Sequence, residues 1–410
     1  MQQPPTAAQN SASHSATPWF DIGLLLCAGI VAAFHVGKVP PALPLLRAEL
    51  GFGLTTAGWV LSTVNIVGMS LGMAAGLLAD RIGARRLLLA GLALLAIADI
   101  AGSLAQDVVA IVLGRFLEGV GFFAVVVAAP PSILRLASAR DAKLGMALWS
   151  TYMPAGTAIM MLVAPFLLQW IGWRGLWLAN GALAMLCLLA LLVRGQAAAT
   201  HAQARIDDLW LSMRATLAGK GALLLALCFG TYTFCWMALV GFLPTYMIEQ
   251  RGIAAGTAGL LTAAVVAANI FGNLGSSPLQ ALGLPRWTLI WIAALAMAIG
   301  AIVAFDETAA DIWRYLACLG FSAIGGIAPG ALFASVPYNA PRPALIGTTG
   351  GLMMQGSNFG STLGPPALAL FVTASGGWQH GAWLLCAILA ASAAGAFLLG
   401  RSEAARGAAP

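Results

Sequence analysis

Charge is what this sequence has little of. Asp, Glu, Lys and Arg together make up 8% of its 410 residues, while 60% are hydrophobic. A water-soluble domain carries about 25% charged residues, so this chain could not cover a soluble surface. Regular polar–apolar alternation is also missing, which argues against a transmembrane β-barrel. The six cysteines all fall in apolar runs, without C-x-x-C or Cys/His spacing. Neither a disulfide framework nor a metal site follows from them. There is no H-x-x-x-H, no P-loop and no G-x-S-x-G beside an acid, so an enzyme, a cofactor and a nucleotide-driven pump are not expected. What remains is a polytopic all-α membrane protein, because a helix satisfies its own backbone in lipid.

The apolar material divides into twelve runs: 19–44, 55–78, 87–105, 108–133, 144–169 and 175–194, then 221–247, 256–277, 286–305, 311–335, 345–373 and 380–400. Each suits a spanning helix of about 20 residues. The expected organisation is a polar tail at 1–17, disordered and without signal-peptide character, and a six-helix bundle at 18–194. A cytoplasmic linker at 195–220, a second six-helix bundle at 221–400 and a short tail at 401–410 complete it. With the N-terminus placed inside, fourteen of the twenty Lys and Arg residues fall on the cytoplasmic side. Only Arg47, Arg174 and Arg251 fall outside. That bias predicts cytoplasmic termini, in an inner (plasma) membrane. The net charge of +6 therefore reads as topology, not as affinity for nucleic acid.

The two halves repeat each other. Asp107, Arg115-Phe116-Leu117, Gly121-Phe122, Ala124 and Pro130 recur 199 residues later as Asp306, Arg314-Tyr315-Leu316, Gly320-Phe321, Ala323 and Pro329. Gly172-Trp173 returns as Gly377-Trp378, and Asn65-Ile66-Val67-Gly68 as Asn269-Ile270-Phe271-Gly272. Two parallel halves with a site between them are an arrangement of secondary transporters.

One loop is more specific. Gly76-Leu77-Leu78-Ala79-Asp80-Arg81-Ile82-Gly83-Ala84-Arg85-Arg86 matches G-x-x-x-D-[RK]-x-G-[RK]-[RK] except at Ala84. Arg115-x-x-Glu118-Gly119-x-Gly121 matches R-x-x-[QE]-G-x-G. On these residues the chain resembles the major facilitator superfamily, over 18–400. In its short loops and the proline-rich end of the first run it is more remotely similar to cyanate-type members. The resemblance implies twelve transmembrane helices in two pseudo-symmetric bundles and alternating access. It also implies a conformational gate at Gly76, Asp80, Arg81, Gly83 and Arg85. The span-five pattern of proton-driven antiporters is incomplete, with Pro154 and Gly156 in place. Gly360-x-x-x-Gly364-Pro365-Pro366 stands instead in the other half.

The few intramembrane charges suggest the substrate. A charge at mid-membrane costs about 2.5–3.5 kcal/mol on translocon scales, so each is a functional hypothesis. Lys38, Arg115 and Arg314 are cations, His35 is titratable, and Glu118 is the deep acid, with Asp99 nearer a span end. Excess positive charge predicts an anionic small molecule held by Lys38, Arg115 and Arg314. Asn65, Asn269, Tyr152, Gln355 and Asn358 would supply further contacts, and His35 or Glu118 would carry a coupling proton. Plainer readings stand beside these. Lys38 could snorkel to the outer interface, His35 could be a hydrogen-bonded core residue, and Arg115–Glu118 could be a structural ion pair. Two functions are open: proton-coupled uptake or exchange (symport) of a small anion, and proton-driven efflux of drugs or metabolites. In both the partners are the substrate, protons and the bilayer, and a monomer is expected.

Overall fold

The computed structural model describes residues 17–138, 140–194 and 206–405. The predicted tail at 1–17 lies outside them apart from Thr17, as do 195–205 of the linker and 406–410. Among the described residues ten stretches are long and apolar enough to cross a membrane. One of them, Leu144–Val193, turns sharply at Gly172, whose φ of 64° is a left-handed conformation that glycine adopts without strain. It therefore supplies two crossings. A further crossing, Ile346–Ser375, is too rich in Gly, Ser, Thr and Asn to pass on hydropathy.

These twelve crossings are α1 (Trp19–Leu50), α2 (Leu54–Ala74, continuing to Ile82), α3 (Ala84–Ser103) and α4 (Val108–Leu136). Next come α5 (142–171), α6 (173–193), α7 (Lys220–Glu249), α8 (Ala255–Ala281) and α9 (Arg286–Phe305). The last three are α10 (Asp311–Asn339), α11 (Ile346–Ser375) and α12 (Gly381–Ala405). An even number of crossings leaves both described ends on one face, the terminal face. The polar linker is partly helical, at Ile206–Leu217, and Lys220 opens α7 instead of closing the linker. The expected C-terminal tail is shortened likewise, since α12 runs to Ala405.

The halves pack alike. Gly37 lies on Thr157 and Met160 (α1 on α5), and Gly360 lies on Gly230 (α11 on α7). Gly91 meets Gly121 (α3 on α4), and Gly300 meets Phe321 (α9 on α10). Gly102 meets Trp177 (α3 on α6), and Gly400 meets Trp287 (α12 on α9). Small residues let helix backbones approach where lipid gives no hydrophobic drive. Large apolar side chains such as Val109, Trp170, Phe271 and Trp383 face outward, as lipid-facing residues should.

The halves meet through α2 with α11 and α5 with α8. Gly58 lies against Pro365 and Pro366, Gly68 against Asn358, Gly72 against Gln355, and Gly259 against Pro165. Because α11 touches both α7 and α2, its polar residues are shielded from lipid by protein. That explains its low hydropathy. Opposite the terminal face, Arg47 at the end of α1 donates to Glu249 at the end of α7 over 2.6 Å, tying the halves together there.

Candidate functional site: a buried charge cluster on α1, α3, α4 and α6

The site begins at a break in α1. The helix runs Trp19–Gly37 and restarts at Val39, with Lys38 between the two parts. Pro40, Pro41 and Pro44 lack the N–H groups that would continue the backbone ladder. The break leaves the His35 carbonyl to a side chain: Nη1 of Arg115 donates to it at 2.7 Å. The same guanidinium donates through Nε to the Val60 carbonyl of α2 at 3.1 Å. Arg115 therefore binds α4 to α1 and α2 at the interruption of α1.

Around this break five ionisable side chains share one enclosure. Lys38 donates to Asp99 of α3, and to Oε1 of Glu118 at 3.0 Å. Its Nζ lies 4.3 Å from the centre of the Trp177 ring of α6, a favourable cation–π position. Glu118 receives Arg115 on its other oxygen. His35 Nε2 stands 2.9 Å from Asp99 Oδ2, while its Nδ1 faces the carbonyls of Val31 and Ala32 at 3.0 and 3.2 Å. None of the five is more than 1% exposed. Ion pairs taken out of water persist only when further hydrogen bonds satisfy them, and these bonds are present.

The cluster revises the anion argument. Asp99, expected near a span end, is fully buried and takes both Lys38 and His35. It lies 61 residues from Lys38 in sequence. The only sequence signal for it was an acid inside an apolar run. Two cations and two carboxylates therefore balance, and Lys38 gives two of its three donors to carboxylates of the cluster while its Nζ lies against the Trp177 ring. Lys38 does not snorkel, since its head group is enclosed. Arg115 keeps a single nitrogen, Nη2, without a hydrogen bond among the described residues.

The repeat does not extend to the second arginine's surroundings. Arg314 is 5% exposed, and its three guanidinium nitrogens make no hydrogen bond among the described residues. Its nearest carboxylate is Asp311, at 3.7 Å. It sits one turn into α10 from the face opposite the termini, about one turn shallower than Arg115 in its own helix. The expected grouping of Lys38, Arg115 and Arg314 around one anion is thus not what the structure brings together.

The remaining expected contacts serve packing in this conformation. Asn65 donates to the Ser62 carbonyl of its own helix at 3.3 Å. Asn269 donates to the Tyr232 hydroxyl at 2.9 Å and to the Ser322 carbonyl at 3.0 Å, joining α8 to α7 and α10. Tyr152 stacks on Trp149 at 4.3 Å. Gln355 accepts from the Met73 backbone at 3.3 Å across the junction of the halves. Asn358 donates to Met354 in its own helix at 2.8 Å and lies against Gly68. In the gate loop Gly83 has φ 87° and ψ 126°, so the glycine of that motif makes the turn from α2 into α3. Arg81 is exposed and Arg85 half-buried. Gly76 lies in the last part of α2, and the side chain of Asp80 lies outside what the structure describes.

Twelve helices in two similarly packed groups of six, with a neutralised charge cluster in the first, define the class: a polytopic helical transporter. The chain belongs to the Major Facilitator Superfamily, whose family model matches residues 25–365. It is 29% identical over 202 residues to the lincomycin resistance protein of Streptomyces lincolnensis, a match covering 49% of this chain and 42% of that protein. It is 30% identical over 195 residues to the multidrug efflux pump LfrA of Mycolicibacterium smegmatis, covering 46% and 38%. The matches thus span less than half the length of these curated relatives. Among solved structures, a bacterial homolog to the human lysosomal transporter Spinster, in an inward-facing and occupied conformation, has the same fold. Its TM-score is 0.79 at 16% identity, covering 94% of this chain and 97% of that one.

Proposed function

We propose that this protein exports amphipathic small molecules across the inner membrane in exchange for protons. The observation that carries this reading is the pairing of Lys38 and Arg115 with Asp99 and Glu118. An importer of anions would need a free cation in its path, whereas two carboxylates and a histidine offer sites for a proton. The names of the relatives, a resistance protein and an efflux pump, support the same direction. In this reading the terminal face is cytoplasmic, as the positive-inside bias indicates. Tyr152, Asn65, Asn269, Gln355 and Asn358 line the substrate path when the halves part, and Asp80 with Arg81 and Arg85 gates it from the cytoplasmic side.

Anion uptake keeps one observation in its favour, the guanidinium of Arg314 without hydrogen bonds. A single comparison separates the two readings. Cells expressing the protein are preloaded with ethidium and energised, and are tested in parallel for uptake of labelled small carboxylates. Export predicts ethidium loss that a protonophore stops, with no carboxylate uptake. Carboxylate uptake that Arg314→Ala abolishes, with ethidium retained as in empty cells, would replace export with anion import.

A further inference from the structure

We infer that the transported proton is bound between His35 and Asp99, and that the conformation described here is its loaded form. The inference rests on proton-driven transport and assigns its site. Nδ1 of His35 faces two backbone carbonyls, which only accept hydrogen bonds, so Nδ1 carries a hydrogen. Nε2 faces a carboxylate oxygen at 2.9 Å, which is hydrogen-bond distance. An imidazole already protonated at Nδ1 presents a lone pair at Nε2 when neutral. Two acceptors do not approach in this way, so a second proton lies between Nε2 and Oδ2.

Among the described residues, the charged groups that face this pair belong to α1 and α4. Lys38 of α1 donates to the other Asp99 oxygen, and Glu118 of α4 takes the second Lys38 hydrogen bond. Arg115 of α4 holds Glu118 and the His35 carbonyl. Trp177 of α6 covers the ammonium of Lys38. With Lys38 and Arg115 balanced by Asp99 and Glu118, the shared proton gives the cluster one positive charge. Its departure leaves the cluster neutral.

The proton enters from water on one side, adds to the Nε2–Oδ2 pair, and leaves to water on the other; no other bond is made or broken. Loss of the proton sets the Nε2 lone pair against the carboxylate and pushes His35 from Asp99. His35 is held to α1 three residues before its interruption at Lys38, so the push acts beside that interruption. Binding and release of the proton are thereby linked to the angle between the two parts of α1.

The test is nitrogen-15 NMR of the full chain, labelled on histidine and reconstituted in lipid. The chain has four histidines, and His35→Gln identifies the signal of interest by its loss. The expected result is an Nδ1 of His35 that stays protonated while Nε2 loses its proton as the pH is raised. Asp99→Asn should remove that pH-dependent change, and Glu118→Gln should keep it. An unprotonated Nδ1, an Nε2 that never changes, or a change abolished only by Glu118→Gln would overturn the assignment. Once His35→Gln has assigned the signal, the wild-type spectrum decides without the variants of Asp99 and Glu118. It stands apart from export, since an intact His35 titration in a protein that moves no ethidium would fault the export reading alone.

Discussion

Lys38 and Glu118 are joined by a hydrogen bond of 3.0 Å between helices 80 residues apart in sequence. Lys38 donates to Asp99 at the same time, so one ammonium links α1, α3 and α4. Removing one partner of a buried ion pair strands the other and costs about 3–5 kcal/mol. Lys38→Met should lower thermal stability in detergent by that order. Lys38→Met combined with Asp99→Asn should recover part of the loss, because fewer charges are left unpaired. Losses that simply add would show that the two groups do not interact.

Arg47 and Glu249 are 22% and 35% exposed, so their bond contributes only about 0.2–1 kcal/mol. That is enough to move a balanced conformational equilibrium. Spin labels at Gln106 and Glu307, exposed in loops of the two halves on the face opposite the termini, report the opening. Arg47→Glu should lengthen the mean distance, and Arg47→Glu with Glu249→Arg should restore it.

Gly58 offers a steric version of the same experiment. A Cβ there would lie 2.5 Å from the Cα of Pro366, too close for either backbone to stay in place. Gly58→Val should widen the Gln106–Glu307 distance more than Arg47→Glu does. Gly53→Ala, where nothing lies within 4 Å of the added carbon, should leave it unchanged.

On the terminal face, Asp141 accepts from the hydroxyls of Thr17 at 2.6 Å and Ser138 at 3.0 Å. These bonds hold its carboxyl below the usual range. Because the folded value is lowered, the tie is fully present above the unfolded value of about 3.9 and is lost as the pH falls through the folded one. The Ser138 amide, which donates to Thr17 Oγ1 at 3.0 Å, should therefore lose hydrogen-exchange protection in acid. Asp141→Asn should reduce that protection at neutral pH.

Most of the fold was legible from hydrophobic run lengths, because a membrane helix must be long and apolar on every lipid-facing side. α11 was found among those runs although it is polar for a spanning helix, which it can be because Gln355 and Asn358 lie against α2 and not lipid. Pro40, Pro41 and Pro44 announced the break at Lys38, and the i,i+3 spacing announced the Arg115–Glu118 pair. Asp99 was the residue misjudged. Its partners come from a helix 61 residues away, and a helix-face pattern says nothing of what another helix brings to it. Without Asp99 the buried charge looked positive; with it the balance closes. Arg314 was misjudged for a related reason, since a repeat in sequence fixes spacing but not the partners that neighbouring helices supply.

The central claim is that a proton on the α1–α3–α4 cluster drives transport. Its most direct measurement is ethidium movement in proteoliposomes under an imposed pH gradient without membrane potential. The account predicts accumulation on the acidic side, proportional to the gradient and lost in Asp99→Asn. Ethidium movement indifferent to the gradient, or undiminished gradient-driven movement in Asp99→Asn, would contradict it.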